Sequence, residues 1–272
     1  MKAAAAGLGA AAAAALAWGW FEAGWVRLAE LEVPLPGLPE ELDGLRIAHL
    51  SDFHLGPPSR GARAVERAVA WVEERQPDLT LVTGDLLTRE RGEPKLRELI
   101  PRLPRCYAIL GNHDFAISRD PSARRTHVKE LAPATVLSDE GEIVELRGRR
   151  VYVAGADPRS RFSRSRLQPA QLVVDDADLR ILLVHYPSVV DELPPAAFDL
   201  VLAGHMHDGQ ICLPYPGGKV RLAHVHARYT RGLYRLEGTT LHVSPGLGTT
   251  FVPFRFAARP EGTELTLRST ER

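Results

Sequence analysis

The sequence predicts an α/β domain built on a largely parallel β-sheet. Five short, mostly aliphatic runs are bounded by Gly, Pro or Asp, as buried strands are: residues 45–50, 79–83, 107–110, 181–184 and 200–203. Between the first two runs, residues 62–74 carry apolar side chains at positions 65, 68, 69 and 72, on one face of a helix. A strand, a helix and a second strand form a crossover unit, which makes the two strands parallel.

Side chains that bind metal ions follow every one of these predicted strands. They are, in chain order, Asp52 and His54, then Asp85, then Asn112, then His185, then His205 and His207. In open sheets of this kind, ligands gather beyond the carboxyl ends of the strands. We therefore expect all seven side chains to lie at one edge of the fold.

The donor atoms of this set are oxygens and imidazole nitrogens, without thiolates. They suit Mn, Fe, Zn or Mg better than a soft metal, and manganese is the first candidate. Seven ligands are too many for one catalytic ion and suit two. A carboxylate such as Asp85 can bridge two cations, and ions held about 3.5–4 Å apart can clamp the attacking and leaving oxygens of a phosphoryl transfer. The pattern predicts hydrolysis of a phosphate ester.

In this order the motifs resemble the five signature blocks of the calcineurin-like metallophosphoesterases. The blocks are Asp52-Phe53-His54, Gly84-Asp85, Gly111-Asn112-His113-Asp114, His185 and Gly204-His205-Met206-His207, within roughly residues 45–250. The resemblance implies a four-layer α/β/β/α sandwich, in which two mixed β-sheets pack face to face and are flanked by helices.

The resemblance also implies a role for each residue at a centre of two divalent ions. Each ion has three ligands of its own and one that is shared: Asp52, His54 and His207 for the first, Asn112, His185 and His205 for the second, and Asp85 as the bridge. A hydroxide bridging the ions would attack phosphorus. His113 would protonate the leaving alkoxide as general acid, and Asp114 would fix the tautomer of His113 and raise its basicity.

Finer details resemble the phosphodiesterase side of the family. Protein phosphatases of the family have Asp-Arg-Gly after the second block and Glu after the Asn-His of the third. This chain instead has Leu86-Leu87-Thr88-Arg89 after Asp85, and Asp114 after Asn112-His113. Residues 204–214 and 245–249 resemble a bacterial branch with an N-terminal membrane segment. This chain departs from that branch at Asp208, where Gly is usual, and we expect the added negative charge to influence substrate choice.

The remaining histidines are interpreted as packed or solvated residues rather than ligands: His49, His127, His224, His226 and His242. Asn112, in contrast, is the only asparagine among 272 residues, in a chain with 30 Arg among its 34 basic residues. Such usage is typical of thermophiles, which avoid thermolabile residues, or of a GC-rich genome. The single asparagine stands where a metal centre needs a neutral amide oxygen, which supports the ligand assignment independently.

The N-terminal segment, residues 1–29, is predicted to be a membrane anchor ahead of a catalytic domain at 30–272. Residues 3–21 carry no charge and would span about 28 Å as a helix, near the roughly 30 Å of bilayer hydrocarbon. Aromatic residues crowd its far end, as at a membrane interface, so we expect membrane contact through residues 3–25. A signal peptide cleaved at residues 15–17 and a peripheral helix are the alternatives. A small excess of positive charge before the segment places the catalytic domain outside the cytoplasm.

The partner is expected to be a phosphate ester, with lipid-linked and nucleotide-sugar phosphates as candidates. Net charge is zero, so no general basic field favours nucleic acid. Four arginines in residues 159–166 either grip a phosphate or lie in a solvated loop. Two alternatives to the esterase are a scaffold protein with a vestigial, non-hydrolytic metal site and a nuclease of the same superfamily.

Overall fold

A computed structural model describes residues 2–271 apart from 126, 127, 129 and 163–166. Three α-helices, α1–α3, cover Lys2–Glu22, Gly61–Arg75 and Glu93–Leu99. Strands β1–β14 cover, in chain order, Arg27–Pro36, Arg46–Leu50, Leu79–Thr83, Cys106–Ile109, Thr135–Val136, Glu140–Leu146, Arg149–Gly155, Leu179–Val184, Leu200–Ala203, Cys212–Tyr215, Gly218–Arg221, Gly232–Leu236, Thr239–Val243 and Glu261–Thr270.

The five strands predicted from the aliphatic runs are β2, β3, β4, β8 and β9, each within two residues of its predicted bounds. The predicted helix is α2, which lies between β2 and β3. These strands are buried along nearly their whole length. Strands covered on both faces read as continuous apolar runs, which is why the sequence signal was strong.

Two six-stranded mixed sheets form the centre of the fold, as predicted. The first has the order β1-β14-β2-β3-β4-β5 and the second β12-β13-β9-β8-β7-β6. Parallel pairing joins β2, β3, β4 and β5 in one sheet and β7, β8, β9 and β13 in the other. The carboxyl ends that carry the candidate ligands therefore belong to the middle of each sheet.

Three hydrophobic clusters define the layers. The first lies between the sheets, where Ile47 and Leu81 pack with residues such as Ile181. The second lies between the first sheet and helices α2 and α3, and includes Val69. The third covers the outer face of the second sheet with a short 3-10 helix, Pro187–Glu192. Helical segments thus flank both sheets.

Helix α1 leaves the domain with residues 6–18 exposed, and only its last turn is docked. The backbone N–H of Arg255 donates to the Gly19 carbonyl at 3.0 Å, and the N–H of Ala258 donates to the buried Glu22 carboxylate at 2.8 Å. Strand β1 begins at Arg27, so the first sheet includes the last residues of the segment predicted as an anchor. Among the described residues, no helix combines the length and apolarity needed to cross a membrane.

Candidate metal centre

The seven predicted ligands meet where β2, β3, β4, β8 and β9 end. All are buried except His205, which is partly buried. Five of them have positive φ angles, a conformation that costs energy for residues other than glycine: Asp52, His54, Asp85, His205 and His207. Strained backbone of this kind clusters at functional sites, because the surrounding structure must hold the side chains in place.

Two groups of donor atoms form within this set. Asp52, His54 and His207 make one group, and Asp85, His185 and His205 make the other, with the ligand atoms of each group within 4.8 Å of one another. The amide oxygen of Asn112 adds to the second group, 2.8 Å from Nε2 of His185.

Asp85 belongs to the second group and also lies close to the first. Its Oδ2 is 3.4 Å from Nε2 of His54 in the first and 3.3 Å from Nε2 of His185 in the second. Within the groups, Nε2 of His54 and of His207 are 3.0 Å apart, and Nδ1 of His205 is 3.2 Å from Nε2 of His185. Donors held about 2.1 Å from a tetrahedral ion are about 3.4 Å apart, so these spacings fit two ions with Asp85 shared.

The electrostatics of the centre also fit cations. Burial works against ionisation, but the neighbouring histidines hold the pKa of the Asp85 carboxyl well below its usual range, and that of Asp52 is lowered as well. Burial likewise opposes a charge on His185, yet Asp85 and Asp52 raise its pKa to about 9. Two buried carboxylates thus hold a positive charge among the histidines, which is what a divalent ion would supply more strongly.

The other ring nitrogen of three ligands is held by the protein. Nδ1 of His54 lies 2.8 Å from Thr88 Oγ1, and Nδ1 of His185 lies 2.9 Å from the Thr83 carbonyl oxygen, to which it donates. The guanidinium of Arg255 contacts Nδ1 of His207 at 3.1 Å. The hydroxyl and the carbonyl oxygen fix the orientation of their metal-binding imidazoles and strengthen binding. A guanidinium can only donate, so Arg255 packs against His207 without accepting its ring N–H.

Arg255 was not predicted from the sequence. It is completely buried, and burial lowers its pKa to about 10. Apart from His207, its guanidinium donates to four backbone carbonyls: Pro245, Gly246, Gly248 and Ala258. In a chain with 30 arginines, no pattern in the sequence distinguishes this one.

Glycines allow the metal-binding loops to approach one another. A Cβ on Gly204 would lie 1.9 Å from Ser51 Oγ, and a Cβ on Gly111 would lie 2.2 Å from Oδ1 of Asp85. No side chain fits at these separations. The glycines that precede Asn112 and His205 in the sequence blocks are therefore required by close contact with the ligands.

His113 lies beside the centre, with its ring 4.5 Å from that of His54, and its backbone N–H donates to Asp85. Its Nε2 is 2.8 Å from Ser118 Oγ and 3.3 Å from Thr250 Oγ1. Burial lowers the pKa of His113. It is also one of three residues, with His54 and Asp85, whose donor atoms form a further compact group.

The structure does not show the hydrogen bond expected between Asp114 and His113. Nδ1 of His113 has no hydrogen-bond partner among the described residues, so Asp114 does not fix its tautomer. The Asp114 carboxyl instead accepts the backbone N–H groups of Leu86, Leu87 and Gly111. Burial raises its pKa to about 7 despite these donors. Asp114 thus links the loop after β3, which carries Asp85, to the loop after β4, which carries Asn112, and helps to hold both in position.

Asp208 is engaged within the protein. The side chain is completely buried and forms ion pairs with Lys219, Arg221 and Arg231. Its charge is therefore neutralised within the protein rather than presented to a substrate. Two of the partners lie on β11, so Asp208 attaches the β10-β11 hairpin beside the metal-binding loop.

The other histidines lie outside the seven-residue set. His49 and His242 are completely buried and contact each other, whereas His224 and His226 are on an exposed loop. His127 and half of the arginine-rich segment, residues 163–166, lie outside the described residues. Arg159 forms an ion pair with Asp157.

A cavity of about 300 Å³ opens next to His205. The rings of Tyr186 and His224 lie 4.6 and 5.4 Å from that of His205, and Arg228 and Asp191 form part of the wall. The cavity adjoins the second donor group through His205.

The two-sheet fold and the Asp, Asn and His donors at its edge define a metallophosphoesterase, a class of hydrolases. Comparison with known proteins agrees: the sequence model of the calcineurin-like phosphoesterases matches residues 45–209. The chain belongs to this family.

Similar proteins include members with and without an assigned activity. The chain is 30% identical to the uncharacterized metallophosphoesterase YkoQ of Bacillus subtilis, over 84% of each chain. It is 26% identical to the phosphodiesterase YaeI of Escherichia coli, over 92% of this chain and 89% of that one. It is also 26% identical to the UDP-2,3-diacylglucosamine pyrophosphatase LpxG of Chlamydia muridarum, over 90% and 91%.

Proposed function

We propose that this hydrolase cleaves phosphodiester or pyrophosphate bonds with two divalent metal ions, manganese being the first candidate. The observation that carries the proposal is the position of Asp85, within 3.4 Å of a ligand from each donor group. When bound there, two ions would polarise the phosphate and lower the pKa of a water nucleophile. The phosphodiesterase and pyrophosphatase names of two similar proteins support this bond type.

The side chains of the protein would hold the ions and protonate the leaving group. We propose the seven ligands named above for the metals and His113 for the proton. His113 is the ionisable side chain next to both donor groups that the predicted ligand set leaves unused. A histidine held beside the reacting group, here by the Ser118 and Thr250 hydroxyls at Nε2, is the side chain that most often transfers a proton in catalysis.

We further propose that the leaving group occupies the cavity beside His205. Tyr186 and His224 offer ring surfaces for a planar group, and Arg228, only partly engaged with Asp191 at 3.4 Å, offers a cation for a second phosphate. A nucleoside diphosphate joined to a lipid has this combination, which is consistent with the substrate in the name of the Chlamydia protein.

The proposed place of action is a membrane surface, with the catalytic domain outside the cytoplasm. Helix α1 is exposed over residues 6–18, and Trp18, Trp20, Phe21 and Trp25 remain at least 37% exposed at its docked end. Exposed aromatic residues of this kind favour the interfacial region of a bilayer. Sedimentation of the full chain with phospholipid vesicles tests this; a chain that stays in the supernatant would contradict it.

The activity is tested with the purified full chain, Mn²⁺ and a panel of aryl phosphodiesters, aryl monoesters, a UDP-linked diacyl sugar and single-stranded DNA. We expect hydrolysis of the diester and of the pyrophosphate bond, its loss with EDTA, and a loss of at least about 10³-fold in Asp85→Asn. Asp176→Asn, on an 81% exposed side chain, is the matched control and should retain activity.

Each alternative gives a different result in the same panel. A chain that binds two ions but hydrolyses none of the substrates would be a scaffold with a vestigial site. Preferential cleavage of DNA would favour the nuclease. Equal activity in wild type and Asp85→Asn would disprove the shared-ligand role on which the proposal depends.

A further inference from the structure

A buried line of polar side chains leads from the space between the sheets to Asp52. Nδ1 of His242, on β13, is 2.7 Å from Nδ1 of His49, on β2. Nε2 of His49 is 2.9 Å from Oγ1 of Thr83, and that hydroxyl is 2.8 Å from Oγ of Ser51. Ser51 in turn lies 2.6 Å from Oδ2 of Asp52.

The direction of every hydrogen bond in this line follows from the chemistry of its last member. An ionised carboxylate only accepts, so the single hydroxyl proton of Ser51 is donated to Asp52. The hydroxyl of Thr83 must then donate to Ser51. Its oxygen consequently accepts from Nε2–H of His49.

The positions of the ring protons of His49 and His242 follow in the same way. Both rings are completely buried, which disfavours a second proton on either. With its proton on Nε2, His49 has a bare Nδ1 and accepts from Nδ1–H of His242. Nε2 of His242 is then a bare acceptor, and it is indeed a buried atom without a partner among the described residues. All four hydrogen bonds donate toward Asp52.

We propose that His242, His49, Thr83 and Ser51 form a donor chain that positions Asp52 for metal binding. Ser51 holds Oδ2, while Oδ1 points to the first donor group, 3.4 Å from Nε2 of His207 and 3.9 Å from Nε2 of His54. The chain therefore presents one oxygen of Asp52 to the first ion. These are positioning residues, and their role rests on the proposed function only in requiring that the centre bind metal.

Thr83 also connects the chain to the second ion's ligands. Its backbone carbonyl accepts from Nδ1 of His185 at 2.9 Å, while its hydroxyl belongs to the chain. One residue on β3 thus orients a ligand of each donor group. Replacing its hydroxyl alone separates the two effects, because the carbonyl remains.

The test compares Thr83→Val with a matched control on the same strand. Valine keeps the shape of threonine without its hydroxyl, which interrupts the chain. Thr80 is equally buried on β3, but its Oγ1 has no hydrogen-bond partner among the described residues, so Thr80→Val interrupts nothing. Thr83→Ser restores the donor and is the rescue variant.

Affinity for Mn²⁺ is measured by calorimetry on metal-free protein, and thermal unfolding in EDTA monitors folding. We expect Thr83→Val to bind Mn²⁺ about 10- to 100-fold less tightly at one of the two sites, the loss typical when a partner of a metal ligand is removed. Thr80→Val and Thr83→Ser should bind as the wild type does. If Thr83→Val does not fold, Ser51→Ala removes the final donor with a smaller change.

Unchanged Mn²⁺ affinity in a folded Thr83→Val or Ser51→Ala protein would overturn the proposal, and so would equal losses in Thr83→Val and Thr80→Val. A wild-type chain that binds no metal would overturn it as well. The readout is independent of hydrolysis. A wild type that binds two ions and cleaves nothing would therefore disprove the proposed function and leave the donor chain standing.

Discussion

Replacing Arg255 by methionine removes a cation that ties the segment after β13 to the metal centre. Methionine fills a similar volume without any donor. The change leaves three buried carbonyls without their donor, those of Pro245, Gly248 and Ala258, while the Gly246 carbonyl keeps the backbone N–H of Glu261 at 3.2 Å. It also removes the contact with the ring of His207.

The size of the folding effect follows from the acceptors left behind. A buried polar group without its partner costs about 1–3 kcal/mol, and three carbonyls lose theirs. Arg255 is itself expensive to bury, as its lowered pKa indicates, and the variant recovers that cost. Taking the low end for each carbonyl, we expect Arg255→Met to lower the free energy of unfolding by about 3 kcal/mol. That is a large part of the roughly 5–15 kcal/mol of a typical domain.

Urea denaturation of metal-free protein measures this loss. Arg255→Lys should fall between wild type and Arg255→Met, because an ammonium has three donors where the guanidinium has five. Arg97→Met is the control, since the Arg97 side chain is 51% exposed and pairs with Glu93 at the surface; it should change stability by less than about 1 kcal/mol. An Arg255→Met protein within about 1 kcal/mol of wild type would refute the reasoning, because it would mean that the carbonyls find other donors.

Two further predictions concern acidic residues near the centre. Asp208→Asn should lower the free energy of unfolding by about 2–4 kcal/mol, because three partly exposed cations lose a buried counter-charge. The ratio of the activities on two different esters should stay unchanged in this variant. A changed ratio would support a role of Asp208 in substrate choice. Hydrogen bonds from Phe251, Thr250 and Ser122 outweigh burial and lower the pKa of Asp120 to about 2, so its carboxylate stabilises the fold above about pH 4 and this contribution is lost as the pH falls toward 2. The difference in unfolding free energy between wild type and Asp120→Asn should accordingly be largest near neutral pH and shrink on acidification; a difference that does not depend on pH would contradict this.

The strands and the ligands were predictable because both depend on local sequence. An aliphatic run such as 79–83 is buried on both faces, and the residue after it must turn sharply at the edge of the sheet. Metal chemistry restricts that residue to a few types. Asp85 could therefore be recognised from its type and its place, and the position between the two donor groups follows from the parallel pairing of β2, β3 and β4.

The partners of these residues could not be predicted in the same way. Arg255 reaches His207 across 48 positions in the sequence, and Asp208 meets two of its three cations only after the hairpin folds back. Asp114 follows His113 directly, yet its carboxyl turns away to backbone N–H groups of another loop. Adjacency in sequence suggested a pair that the local backbone does not form. Long-range contacts of this kind leave no periodicity or motif to read.

The division of the ligands between two sheets links catalysis to the assembly of the whole domain. Asp52, His54, Asp85 and Asn112 follow strands of the first sheet, and His185, His205 and His207 follow strands of the second. Neither half alone carries both donor groups. Ions bound at this edge would link the two sheets. They would raise the free energy of unfolding in proportion to the logarithm of the free metal concentration. Metal supply could then govern how long the folded enzyme survives as well as how fast it works.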